Sequence, residues 1–290
     1  MGSFGAEVFA KPSVGLAYSA SVRDFAERYP SDVDHIEIPF ELLRHDPGVI
    51  GMRPKLPIIL HCASLSVAGT EPCDDNTIRE IGAWAHKTGS PWIGEHLAFI
   101  TASRTEAGPH PEEYAPGEPY NIGYTVSPIM NERTINRVVC ALAAYGVRFP
   151  VPILIENSPL YFDAPGTTMT QANFISRICD RTDVSLLFDL AHFVITSRLE
   201  NFDPFEELER FPLHRVVEIH VSGIDDQNGG CWDNHARPAP ELVHELLREV
   251  LDRVTPRAIT LEYNWSSRFP EAWLSEELAR VRGAIRAATK

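Results

Sequence analysis

Six residues able to bind a metal ion stand at or next to the ends of short apolar runs: His61, His96, Glu156, Asp189, His220 and Glu262. Taken singly, a histidine in such a place, or Glu156, is more often a hydrogen-bonded structural residue. Taken together they are not. With 40 Asp and Glu and 11 His among 290 residues, six such residues at eight strand ends is a chance of roughly one in a thousand, and strand ends are where α/β barrels keep their active sites. Two further segments add to the set. Phe188-Asp189-Leu190-Ala191-His192 places His192 three residues past Asp189, on an expected turn that bends back over the mouth. Cys231-Trp232-Asp233-Asn234-His235 supplies Asp233 and His235, which share a face if the segment is extended. The nine candidates comprise four carboxylates and five imidazoles. Four carboxylates gathered in a low-dielectric mouth repel one another prohibitively without cations. Nine ligands suit two or three divalent ions with bridging carboxylates, and the His/carboxylate mixture without Cys fits zinc, iron or manganese rather than an iron–sulfur cluster or Cu(I).

Other residues are expected to hold these ligands in place. Asn157 follows Glu156, and Glu218 shares the side of His220, so both are candidates for orienting a ligand. Glu37 and Glu95 lie beside axial positions, with Glu95 turned away from His96; salt bridges to the barrel helices are the expected role of all three glutamates. Cys62 points away from His61 and packs, and Cys231 is expected as a free loop thiol. His35, His45, His86, His110, His214 and His244 fit no convergent position and are read as surface or helix residues.

The elements that must position these side chains alternate along the chain. Strands are expected at Val14–Ala17, His35–Pro39, Ile58–Cys62, Trp92–His96, Pro152–Glu156, Ser185–Asp189, Val216–His220 and Ala258–Glu262. Helices are expected at 19–29, 74–88, 131–146, 170–181, 203–210, 239–254 and 271–288, with Ser19, Asp74 and Thr170 as caps. Eight such units at about 36 residues each predict a single-domain (β/α)8 TIM barrel over residues 1–290, with the metal cluster at its carboxyl-terminal mouth. No GxGxxG follows the first strand, which disfavours a dinucleotide-binding sheet. The Pro- and Gly-rich stretch Thr101–Pro128 predicts a long active-site loop over the mouth.

Composition narrows the partners. The formal charge of −14 and the absence of a basic track disfavour nucleic acid. Five cysteines, none in a CxxC pair, read as reduced thiols. No apolar run reaches the ~18 residues a spanning helix needs, and the start shows no signal pattern, so a cytoplasmic protein with no membrane association is expected.

The motifs His61-Cys62-Ala63-Ser64, Gly94-Glu95-His96-Leu97-Ala98, Ile155-Glu156-Asn157-Ser158-Pro159, Leu187-Phe188-Asp189, Glu218-Ile219-His220-Val221-Ser222-Gly223, Asp233-Asn234-His235 and Thr260-Leu261-Glu262 resemble, in kind and order, those of the multinuclear non-heme iron-dependent oxidative enzymes. The resemblance runs from about Val14 to Glu262. It implies iron at His61, His96, Glu156, Asp189, His192, His220, Asp233, His235 and Glu262, two or three ions with a mixed-valent Fe(II)/Fe(III) pair, and O2 as cosubstrate. It also implies a ribosomally made precursor peptide whose cysteine is oxidatively modified through an iron-bound thiolate and hydrogen abstraction by a ferric-superoxo species, and a small partner protein that binds the leader. Many members read His-Leu-Ala-Gly-His where this chain has His220-Val221-Ser222-Gly223-Ile224, and Asn where His192 stands. These departures are similar to the subgroup that excises the β-carbon of a carboxy-terminal cysteine on the way to thia-amino acids such as 3-thiaglutamate. The ligand order is also similar to the trinuclear zinc barrels that cleave DNA at abasic sites and, more loosely, to sugar isomerases and epimerases. A non-catalytic metal-binding scaffold is a third class, distinguished by the absence of turnover.

Overall fold

Strands whose two faces are both covered must be apolar on the helix side and filled on the axial side. Alternation along each strand here separates the two faces. On the strand ending in Cys62, Leu60 and Cys62 join the main apolar core, whereas Ile59 belongs to a separate axial cluster with Phe9, Trp92, Leu154, Leu187 and Ala258. The computed structural model describes residues 9–19, 21–51, 55–103, 119–227, 229–263 and 271–288.

The eight barrel strands are β1 (Ser13–Ala17), β2 (Ile36–Pro39), β3 (Ile58–Cys62), β4 (Ile93–His96), β7 (Ile153–Glu156), β8 (Ser185–Asp189), β9 (Val216–Ser222) and β12 (Ala258–Glu262). All pair in parallel and close in the order β1-β12-β9-β8-β7-β4-β3-β2. Each corresponds to one expected strand, and the architecture is the (β/α)8 barrel. The register aligns the site: His96 pairs with Glu156, and Asp189 with His220. Two antiparallel hairpins rise beside the mouth, β5 (Phe99–Ser103) with β6 (Pro119–Val126), and β10 (Ile224–Gln227) with β11 (Gly230–Asp233).

The helices between them are α1 (Val22–Arg28), α2 (Phe40–His45), α3 (Asp75–Thr88), α4 (Glu132–Gly146), α5 (Gln171–Arg181), α6 (Leu190–Glu200), α7 (Pro204–Leu208), α8 (Glu241–Leu251) and α9 (Glu271–Ala288). Asp74 caps α3 through the backbone N–H groups of Asn76 and Thr77, and Thr170 caps α5 through that of Asn173. Ser19 does not cap: α1 begins after Ser21, and no side-chain bond closes its end. The largest departure from expectation is α6. Residues 190–197 are all buried, so this helix has no polar stripe to reveal its period, and sequence reasoning finds only the shorter helix near 203–210. The described ends of Thr101–Pro128 are strands of the β5–β6 hairpin rather than loop; residues 104–118 lie outside the described residues. No described helix is long and apolar enough to cross a membrane.

Candidate metal centre

All nine candidate ligands meet at the carboxyl-terminal mouth. Their ligand atoms fall into groups whose members lie within 4.8 Å of one another: His61, His96 and Glu156; Glu156, Asp189, His220 and Glu262; and His192, Asp233 and His235. Glu156 belongs to the first two. Its Oε2 lies 3.3 Å from His61 Nε2 and 3.4 Å from His96 Nε2, while its Oε1 lies 3.4 Å from His192 Nδ1 and 3.6 Å from His220 Nδ1. A carboxylate presenting its two oxygens to different imidazole sets has the geometry of a bridging ligand.

Several of these atoms are buried without a hydrogen-bond partner: His61 Nδ1, Glu156 Oε2, Asp189 Oδ2 and His220 Nδ1. Buried polar atoms left unpaired cost ~1–3 kcal/mol each, and here they cluster. Asp189 shows how the halves of one group divide. Its Oδ1 accepts the His192 backbone N–H at 2.6 Å as the cap of α6, leaving Oδ2 free toward His220. Gly94 makes room for the set, since a Cβ there would stand 2.7 Å from His61 Nδ1. The donor set of imidazoles and carboxylates, with Glu156 Oε2, Asp189 Oδ2 and His220 Nδ1 orphaned within it, fits divalent ions of the iron, zinc or manganese type.

The third group forms differently from expectation. Asp233 ends β11, and His235 adopts a left-handed backbone with φ 53°, so the two side chains meet across a turn and not along one face of a strand. Asp233 Oδ2 lies 2.9 Å from His235 Nε2 and 2.9 Å from His192 Nε2, and its Oδ1 accepts from Ser222 Oγ at 3.2 Å. His192 sits in the first turn of α6, which starts directly after β8 with no loop between them. His220 lies below the end of β9, deeper than a terminal residue, because the strand continues to Ser222.

The residues around the ligands are held by short polar contacts. The Asn157 carbonyl lies 2.9 Å from His192 Nδ1, which directs Nε2 to the third group. The Asn157 side chain clasps the Asp189 backbone, donating to its carbonyl at 2.9 Å and accepting its N–H at 2.8 Å. The orienting contact to the imidazole therefore comes from the backbone, which sequence does not display. Glu218 accepts from Trp92 Nε1 at 2.6 Å and Thr260 Oγ1 at 2.8 Å, and Glu37 Oε2 accepts from His220 Nε2 at 3.0 Å. Glu95 accepts from Cys62 Sγ at 2.8 Å and Ser66 N at 3.0 Å. None of the three makes the expected helix salt bridge among the described residues. Of the histidines read as surface or helix residues, His35 is neither, and His244, on a helix as expected, is buried and paired. His35 lies inside the barrel between Ser13 Oγ and Thr260 Oγ1, and His244 on α8 bonds Glu277 at 2.9 Å. Cys62 is packed, and Cys231 is a free thiol contacted by Arg198 at 3.1 Å.

The electrostatics are those of a charge cluster. Burial pushes Glu156 up, but the charges of His96, His61 and His220 outweigh it and hold the carboxyl at about 2. Burial disfavours charge on His192, yet Asp189 and Asp233 raise it well above the usual imidazole range. Asp189 goes the other way, to about 7, through burial and its carboxylate neighbours. Glu218 rises to about 8 through burial and the charge of Glu37. Above the cluster a cavity of about 610 Å³ opens between Tyr18, Glu41, His96, Asn234 and Tyr263, with no Lys or Arg among its described lining residues.

A closed eight-stranded parallel barrel that gathers imidazoles and carboxylates at its carboxyl-terminal mouth makes this a TIM-barrel protein with a candidate metal centre. The chain belongs to the family described as RiPP precursor modification enzyme MbnB/TglH/ChrH, whose sequence profile matches residues 13–286. A UPF0276 protein of Streptomyces avermitilis is 29% identical over 278 residues, covering 94% of this chain but 54% of the relative, so the chain spans about half that relative's length. Among solved structures, D-psicose 3-epimerase from Clostridium cellulolyticum is similar with TM-score 0.56 at 12% identity, over 95% of this chain and 99% of that one. Endonuclease IV from Thermus thermophilus is similar with TM-score 0.50 at 16% identity, over 96% and 99%. At these identities the structural likeness shows the fold alone.

Proposed function

We propose that this chain is an O2-dependent multinuclear iron enzyme that oxidatively modifies a cysteine of a ribosomally made precursor peptide, with excision of the cysteine β-carbon as the specific outcome and a small leader-binding protein as its partner. The observation that carries the reading is Glu156, a buried carboxylate presenting its two oxygens to two sets of imidazoles, one oxygen lacking any hydrogen-bond partner. His61, His96 and Glu156 would hold one ion, Glu156, Asp189, His220 and Glu262 a second, and His192, Asp233 and His235 a third. Bound there, irons of unequal oxidation state supply a Lewis acid for the substrate thiol and electrons for O2.

The residues of the chain do the rest. The Asn157 carbonyl and Glu37 fix the His192 and His220 rings, and Asn157 and Glu218 act from behind the ligands without touching substrate. The cavity lets a peptide end reach the ligands from above. An acidic protein whose mouth cavity has no described Lys or Arg in its lining suits a peptide better than a phosphate backbone. Residence in the cytoplasm, where precursor peptides are made, belongs to the same reading, supported by five free thiols.

The deciding measurement is metal content and oxidation state, by elemental analysis with Mössbauer or electron paramagnetic resonance spectroscopy, on protein purified under low oxygen without added metal. Two or more irons per chain with an antiferromagnetically coupled mixed-valent signal are expected. Stoichiometric zinc, with iron absent even after iron-supplemented expression, would overturn the reading in favour of hydrolysis, tested next on abasic-site DNA.

A further inference from the structure

Resting on the reading that the mouth holds metal ions, we infer that Glu37 is a positioning residue that ties two of the metal positions together from below, one carboxylate oxygen fixing the ring of His220 and the other facing that of His61. β2 carries Glu37 into the barrel opposite Ala17 of β1 and Ile59 of β3, and the side chain is buried. Its Oε2 lies 3.0 Å from His220 Nε2 and its Oε1 3.7 Å from His61 Nδ1, the first a hydrogen bond and the second an ion-pair distance.

The opposite edges of the same rings face the metal positions. His220 Nδ1 lies 3.1 Å from Glu262 Oε2 and 3.6 Å from Glu156 Oε1, and His61 Nε2 lies 3.3 Å from Glu156 Oε2. Two imidazoles assigned to two different ions are thus spanned by Glu156 on one side and by Glu37 on the other. A carboxylate can only accept, so the proton of His220 stays on Nε2 and the lone pair on Nδ1 is presented to the ion. Two residues before His220 on the same strand, Glu218 is itself fixed, its oxygens anchored by Trp92 Nε1 and Thr260 Oγ1. Glu37 thus reaches both rings at once from the floor of the site.

The test uses the full chain loaded with Zn2+, a diamagnetic probe, with 15N-labelled histidine. Long-range 15N–1H correlation spectra report which ring nitrogen of each histidine carries metal and which a proton, and zinc affinity is measured by competition with a chelator. Wild type is expected to show His220 metallated at Nδ1 and protonated at Nε2. Glu37→Leu is expected to lose that single tautomer and to weaken zinc at both positions by roughly 10–100-fold. Glu37→Gln, which keeps the shape and an acceptor but no charge, is expected to fall between and covers the case in which the Leu variant does not fold. Glu95→Gln is the control, since this buried carboxylate bonds Cys62 and Ser66 and touches no imidazole; zinc content and His220 tautomer are expected to be unchanged in it. Wild-type zinc affinity and ring assignments in the foldable Glu37 variants overturn the positioning role. So does metallation of His220 at Nε2 in wild type, which would make Glu37 itself a ligand. A wild-type chain that takes up no zinc, iron or manganese instead overturns the metal-centre reading, and this inference with it.

Discussion

His35 and His220 both face the interior of the same barrel, and their surroundings differ in one respect that decides what each can do. In the lower half His35 is bonded at both nitrogens, to Ser13 Oγ at 2.8 Å and Thr260 Oγ1 at 3.0 Å. Burial lowers its pKa to about 3, so it stays neutral. In the upper half His220 is bonded at Nε2 to Glu37, while Nδ1 lies among carboxylates without a hydrogen-bond partner. A histidine with both nitrogens satisfied is structure, and one with a nitrogen kept back is a ligand in waiting. The same division runs through the barrel. Below lie Phe9, Ile59, Trp92 and Leu154 as an apolar plug, and above lie orphaned atoms of His61, Glu156 and Asp189.

The largest way to break the contrast is Glu156→Ala. It removes the carboxylate common to two ligand groups, so both ions and all turnover are expected to be lost while the far-ultraviolet circular dichroism of the barrel persists. Retention of metal in that variant would sink the assignment. A paired test sharpens it. Gly94→Ala drives a Cβ to 2.7 Å from His61 Nδ1 in the upper half, and Gly15→Ala drives one to 2.4 Å from the His35 ring in the lower half. Both overpack, at a cost of about 1–3 kcal/mol in thermal or denaturant unfolding. Only Gly94→Ala is expected to lower metal affinity, by about 10–100-fold as for loss of a ligand's support.

Why the two halves were unequally legible follows from where their information lies. The eight strands and the nine upper residues could be read because strand ends are marked by an apolar run stopping at a polar residue, as in Ile58-Ile59-Leu60-His61. His35 carries no such mark: its partners Ser13 and Thr260 lie 22 and 225 residues away and meet it only once the barrel closes. Glu37 stands out in the sequence, but whether it reaches a helix or a ring depends on the register of β2, which a four-residue strand does not fix. Helix α6 escaped because burial on all sides erases the amphipathic period, and the Asp233 and His235 contact came from a left-handed turn where alternation had suggested a strand.

In the metal-free chain the upper half should also set the pH range of stability. Glu156 sits at about 2 against an ordinary 4.5, so its contribution is present above 4.5 and lost as pH falls toward 2. His235, which Asp233 and Glu262 raise to about 9 against burial, contributes fully below 6.5 and loses that as pH rises through 9. Asp189, raised from 3.8 to about 7, keeps its proton in the fold while the unfolded chain gives it up, so stability falls as pH rises from 3.8 to about 7. Metal-free protein is therefore expected to unfold at its highest temperature near pH 4.5 and to lose stability steadily from there to about pH 9. Bound metal should move the optimum upward, because ions replace the protons on the imidazoles. Thermal melts across pH with and without zinc check this, and a metal-free chain that gains stability from about pH 7 to 9 would contradict it.

The smallest expected effect comes from Thr260→Val, which probes whether the two halves are separable. Its hydroxyl donates to Glu218 Oε1 at 2.8 Å and bonds His35 Nε2 at 3.0 Å, so it is the stitch between the lower histidine and the carboxyl pair beneath the metal positions. Removing it leaves two buried atoms short of a partner, for about 1–3 kcal/mol in denaturant unfolding. Glu218 keeps its 2.6 Å bond from Trp92 Nε1, and that anchor alone should hold Glu218 under Glu37. Metal stoichiometry is therefore expected to match wild type. If metal affinity fell along with stability, the lower half would be part of the apparatus that aims the ligands, and the boundary between structure and site would move down the barrel by one layer.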